Sequence, residues 1–85
     1  MDSRQEQAWQ LFSDGVLDDD VVTLFLKSGD MRGLERCGDR FCQQGDGKNS
    51  VKCYLYALRF VPYGSCRDTL VRLEAKVVAL VTQPQ

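Results

Sequence analysis

From Met31 to Gly64 apolar, small and aromatic residues recur in the register expected of two helices packed on one another. Leu34, Cys37, Gly38 and Phe41 follow the three-and-four spacing that places side chains on one helical face. Gly38 costs that helix about 1 kcal/mol of propensity against alanine, which implies the close approach of another backbone. Gly45 suits the left-handed residue that ends a helix, and Asp46 and Gly47 continue the turn. A second arm is predicted to start near Asn49 or Ser50. Val51, Tyr54, Leu55 and Leu58 form its main apolar stripe, and Cys53, Ala57 and Phe60 form a second beside it. Pro62 stops it, because proline cannot continue the hydrogen-bond ladder. Two apolar faces imply two neighbours.

This pattern resembles the tetratricopeptide repeat, a helix–turn–helix unit of about 34 residues with the signature W-x2-L-G-x2-Y, then A-x3-F, then P. Leu34 stands at the tryptophan, Cys37-Gly38 at Leu-Gly, Phe41 at the tyrosine, Ser50 at the alanine, Tyr54 at the phenylalanine and Pro62 at the proline. The small Ala57 also agrees. Leu34, Cys37 and Ser50 depart from the signature but keep the side chain apolar or small. The resemblance implies an all-α fold of superhelical hairpins whose repeat-packing residues are Leu34, Cys37, Gly38, Phe41, Tyr54, Ala57 and Pro62. It also implies a ligand-facing side on the first arm, carrying Arg32, Glu35, Arg36, Asp39 and Gln43. Members of that family that grip a C-terminal carboxylate place bases at the sites matched here by Arg32 and Arg36. Glu35 and Asp39 would repel such a ligand.

Eighty-five residues suffice for one domain. A chain of that size buries only about 60–65% of its unfolded surface, so help from a partner chain is expected. Helical repeats generally need about three units for a stable core, which points to a dimer or a fixed partner. No apolar run reaches the length of a membrane span, and the first residues lack a basic-then-apolar leader, so the cytoplasm or nucleus is expected. Residues 1–30 hold seven acids and two bases, and residues 31–85 hold five acids and nine bases. Such asymmetry serves either a partner bound by the basic half or attraction between the two halves.

Cys37, Cys42, Cys53 and Cys66 are spaced C-x4-C, C-x10-C and C-x12-C, and the chain has no histidine. Zinc knuckles use short C-x2-C hooks, so the cysteines read as reduced, small core residues and no metal or other cofactor is expected.

Along the rest of the chain, Ser3 and Glu6 form a capping box for a helix to about Ser13, whose Trp9 is expected to anchor the core. Asp14-Gly15 makes a turn. Leu17 to Ser28 has strand-like propensity, but Asp18 as a cap with Asp19 and Asp20 at the positive end of the dipole selects a helix, ended by Gly29. Asp30 caps the next. After Pro62, Ser65 caps a last helix, with Leu70, Leu73, Val77 and Leu80 inward, Val71, Ala75, Val78 and Val81 widening that face, and Arg67, Arg72, Glu74 and Lys76 outside. The expected architecture is one all-α domain over residues 1–82, of about five helices, with a tetratricopeptide-type hairpin at 30–64, a capping helix at 65–82 and a tail at 83–85.

No histidine, phosphate loop or activated nucleophile supports catalysis, so a non-enzymatic protein-interaction module is expected. It would act as an adaptor, scaffold or small chaperone that binds a partner peptide or helix. The runner-up is a zinc-stabilised or nucleic-acid-binding module using the four cysteines and the basic half. Lys52, Tyr56, Arg59 and Tyr63 would offer bases and rings for stacking, although near-zero net charge and the lack of a nucleic-acid motif weigh against it.

Overall fold

In the computed structural model, which describes residues 3–61 and 67–82, the fold is all-α and comprises five helices. They are α1 (Ser3–Ser13), α2 (Asp19–Ser28), α3 (Met31–Gln43), α4 (Gly47–Leu58) and α5 (Arg67–Val81). Among the described residues there is no strand, and no helix is long and apolar enough to cross a membrane. Pro62, Tyr63, Gly64, the Ser65 cap, Cys66 and the 83–85 tail lie outside the described residues.

Capping chemistry sets the boundaries. The Asp18 carboxylate accepts from the Val21 amide at 3.1 Å and opens α2. Gly29, at φ 68°, closes it, with its amide on the Leu26 carbonyl and that of Asp30 on Phe25. Gly45 repeats the device after α3 at φ 81°, where the Asp46 amide reaches the Phe41 carbonyl at 2.9 Å. Asp46 then caps α4 through the Asn49 amide, so α4 begins at Gly47, ahead of the Asn49 or Ser50 start expected. The earlier start follows from the Asp46 carboxylate, which accepts from both the backbone amide and the side-chain Nδ2 of Asn49 and so places that residue inside the first turn.

Each helix packs on its neighbour in the chain, and the Cα trace is a slab of 38 × 33 × 15 Å. A thickness of 15 Å is two helices at an axis separation of about 10 Å. The core runs between the layers. Ala8 and Phe12 of α1, Val21, Val22 and Phe25 of α2, Leu34, Cys37 and Phe41 of α3, and Cys53, Tyr54 and Ala57 of α4 are buried. Trp9, Phe12 and Phe25 meet edge to face, with ring centroids 5.0–6.4 Å apart.

The α3/α4 contact is built as a hairpin, with one difference in its cause. A methyl on Gly38 would stand 2.6 Å from the Tyr54 ring, so what requires glycine there is an aromatic face and not a second backbone. Ser50, fully buried, donates its hydroxyl to the Gly38 carbonyl at 2.7 Å. Gly33, unremarked in the sequence, is under the same constraint from the Phe25 ring. The buried face of α4 is Ser50, Cys53, Tyr54 and Ala57, while Leu55 of the expected main stripe is half exposed. On α5 only Leu73 is fully buried. Val77 and Leu80 pack partly against the core, whereas Leu70, Val71, Val78 and Val81 remain exposed.

Candidate functional site

α3 is the crest between two clefts, one shared with α1 and one with α5. On one flank, a cleft of about 520 Å³ is lined by Gln5, Trp9, Phe12 and Ser13 of α1 and by Asp30, Arg32, Arg36 and Arg40. On the other, a smaller one of about 380 Å³ lies between α3 and α5, with Glu35, Asp39, Thr69 and Arg72 on its walls. Arg32 and Arg36 border both.

The first cleft is hinged on Asp30. This residue is buried, and its carboxylate serves two helices at once. One oxygen accepts from the Gly33 amide at 2.9 Å and caps α3, and the other accepts from Gln5 Nε2 and from the Trp9 indole N–H, both at 2.7 Å. Trp9 therefore does anchor the core, but through its nitrogen as well as its ring, and it is only partly buried. Arg40 lies 4.1 Å over the Phe12 ring and donates to the Phe12 carbonyl at 3.3 Å. Arg32 and Arg36 are exposed and make no hydrogen bond or ion pair among the described residues.

The acids of the same helix are in a different state. Arg72 grips Glu35 through two hydrogen bonds of 2.9 Å, and Lys76 bridges Glu35 and Asp39, also at 2.9 Å. Asp39 further accepts from the Tyr54 hydroxyl at 2.5 Å, and Lys76 sits 5.4 Å over the Tyr54 ring. The Arg72 hydrogen bonds, opposed by burial and aided by Lys76, hold the Glu35 carboxyl down at about 2. Burial and the bond to Asp39 push the Tyr54 phenol up. Arg72 and Lys76, expected outside, are thus the ties that hold α5 to α3. Sequence spacing could not reveal this, because the partners are 37 and 41 residues apart.

Of the residues expected on the ligand-facing side, the fold brings Arg32 and Arg36 to the clefts and engages Glu35 and Asp39 within the chain. Gln43, at the end of α3, is exposed and lines neither cleft. Trp9, Asp30 and Arg40 were not expected at the site. Arg40 has a signal in the sequence, the Arg32, Arg36, Arg40 run of one base per helical turn, whereas the Trp9–Asp30 contact, 21 residues apart, has none. Cys37 and Cys53 are buried, and burial pushes their thiols up to about 12 and about 11. Among the described residues no three His, Cys, Asp or Glu side chains gather to hold a metal. Lys52 lies over its neighbour Tyr56, 5.9 Å from the ring centroid.

Comparison with protein-family models, with curated proteins and with solved structures finds no match to this chain.

Proposed function

We propose that this protein is a non-enzymatic protein-interaction module of tetratricopeptide type, an adaptor or small chaperone that receives a partner segment in the α1/α3 cleft. One observation carries the reading: the cleft presents the guanidinium groups of Arg32 and Arg36, unpaired among the described residues, beside the part-exposed Trp9 ring, on a wall joined to α3 through Asp30. Tryptophan and arginine are the side chains that most often concentrate binding energy at protein interfaces. The α5 ties neutralise the two acids of the same crest. The match of Leu34, Gly38, Phe41 and Tyr54 to the repeat signature, with the small Ala57 beside them, supports the same reading, since all five are buried in the hairpin.

A photo-reactive amino acid at Ser13, on the cleft wall, tests it in the organism's own extract. The expected result is a discrete protein adduct that is not formed from the same probe at Thr23, an exposed α2 position outside the cleft. Equal labelling from both positions would refute the assignment of the cleft.

A further inference from the structure

Resting on that reading, we infer that the α1/α3 cleft takes an internal acidic peptide segment, with two side-chain carboxylates on Arg32 and Arg36 and an apolar side chain against Trp9. The charges facing the cleft decide its sign. Arg32, Arg36 and Arg40 rise along α3 by about 6 Å per step, four residues at 1.5 Å each. Against them stands Asp30 alone among the lining residues, and its oxygens are already taken by Gly33, Gln5 and Trp9. Glu35 and Asp39, the acids nearest in sequence, are covered by Arg72 and Lys76 on the far flank of the crest. Glu6 does not line the cleft and borders, with Gln10, an adjoining hollow that shares Trp9 and Ser13 with it. The cleft is left with a positive balance that a ligand has to answer.

Carboxylates suit the spacing. In an extended segment, residues two apart project to the same side about 6.6 Å apart, close to the separation of Arg32 and Arg36 along the helix. Each guanidinium can hold a carboxylate through two parallel hydrogen bonds, which makes arginine selective for flat anions. The residue facing away from the arginines would meet the apolar wall of Trp9 and Phe12. A nucleic acid is the poorer fit. Two exposed guanidinium groups make a short track for a continuous phosphate backbone, and the exposed Asp18, Asp19 and Asp20 add repulsion elsewhere on the molecule.

The test is fluorescence anisotropy with a short labelled peptide blocked at both ends and built around Glu-Leu-Glu-Phe, so that no terminal carboxylate takes part. The expected outcome is saturable binding that weakens with salt, at least about tenfold weaker for the matched Gln-Leu-Gln-Phe peptide. The double variant Arg32→Glu/Arg36→Glu should lose at least about tenfold in affinity. Lys27→Glu/Lys48→Glu, the same charge change at exposed sites outside the cleft, should stay within about twofold. Circular dichroism confirms that both variants are folded. Equal binding of the two peptides, equal loss in both variants, or tighter binding of a single-stranded oligonucleotide than of the acidic peptide would each overturn the inference. A Ser13 adduct with a partner, alongside failure of the peptide, would reject the acidic ligand and leave the interaction module standing.

Discussion

Replacing Asp30 with asparagine isolates the joint between α1 and α3. The carboxylate accepts three hydrogen bonds while only 8% exposed. An asparagine has one acceptor oxygen. If that oxygen keeps the Gly33 amide and the α3 cap, the amide nitrogen faces two donors. Gln5 can turn its own amide around and offer oxygen, but the indole N–H of Trp9 cannot change sign. One part-buried donor is then stranded, at a cost of about 1–3 kcal/mol. We expect about 2 kcal/mol, a lowering of Tm by about 8–16 °C for a domain of this size. Asp30→Ala, which also removes the cap, should cost about 1 kcal/mol more. Urea unfolding followed by far-ultraviolet circular dichroism measures both, and equally the variants that lack Trp9, the sole tryptophan. Trp9→Phe removes the stranded donor, so the double variant with Asp30→Asn should show a coupling of about 1–2 kcal/mol. A loss below about 0.5 kcal/mol for Asp30→Asn, or strict additivity with Trp9→Phe, would refute the reasoning.

The Glu35 carboxyl, held at about 2 against an ordinary 4.5 chiefly by the Arg72 hydrogen bonds, stabilises the fold fully above about pH 4.5 and less as pH falls toward 2. Because Arg72 is half exposed, the contribution is about 1 kcal/mol, and urea titrations at about pH 6 and about pH 3 should show it in the native chain and not in Glu35→Gln. Gly38→Ala should destabilise by about 1–2 kcal/mol despite its better helix propensity, as the new methyl overlaps the Tyr54 ring, and Gly33→Ala should do the same against Phe25. Gly47→Ala, with open space around it, should instead stabilise by about 0.5 kcal/mol, and thermal melts compare all three. Alkylation at about pH 8, read by peptide mass spectrometry, should leave Cys37 and Cys53 about 100- to 1000-fold slower than an ordinary thiol, while the exposed Cys42 is labelled ahead of both.

The helical class, the positions of α1, α2 and α3 and the Gly29 and Gly45 endings were legible because they depend on local chemistry: spacing on a helix face, a carboxylate over free amides, a residue tolerant of positive φ. The preference of Val21-Val22-Thr23-Leu24-Phe25 for a strand was outweighed for the same reason, by Asp18 at its cap. What escaped notice depends on partners far along the chain. Gly33 carries no mark of the Phe25 ring above it, and Lys76 on α5 looks like any solvated base.

By itself, then, the order of residues determined where helices start, stop and turn their apolar faces, since those choices are made within a few positions by hydrogen bonding and steric preference. Only the packed structure decided which charges are consumed and which are left for a ligand. Glu35, Asp39 and Asp30 find their side-chain donors across gaps of 15 to 41 residues, and Arg32 and Arg36 find no partner among the described residues. Electrostatic pairing is a property of distance in space, and the fold alone sets that distance.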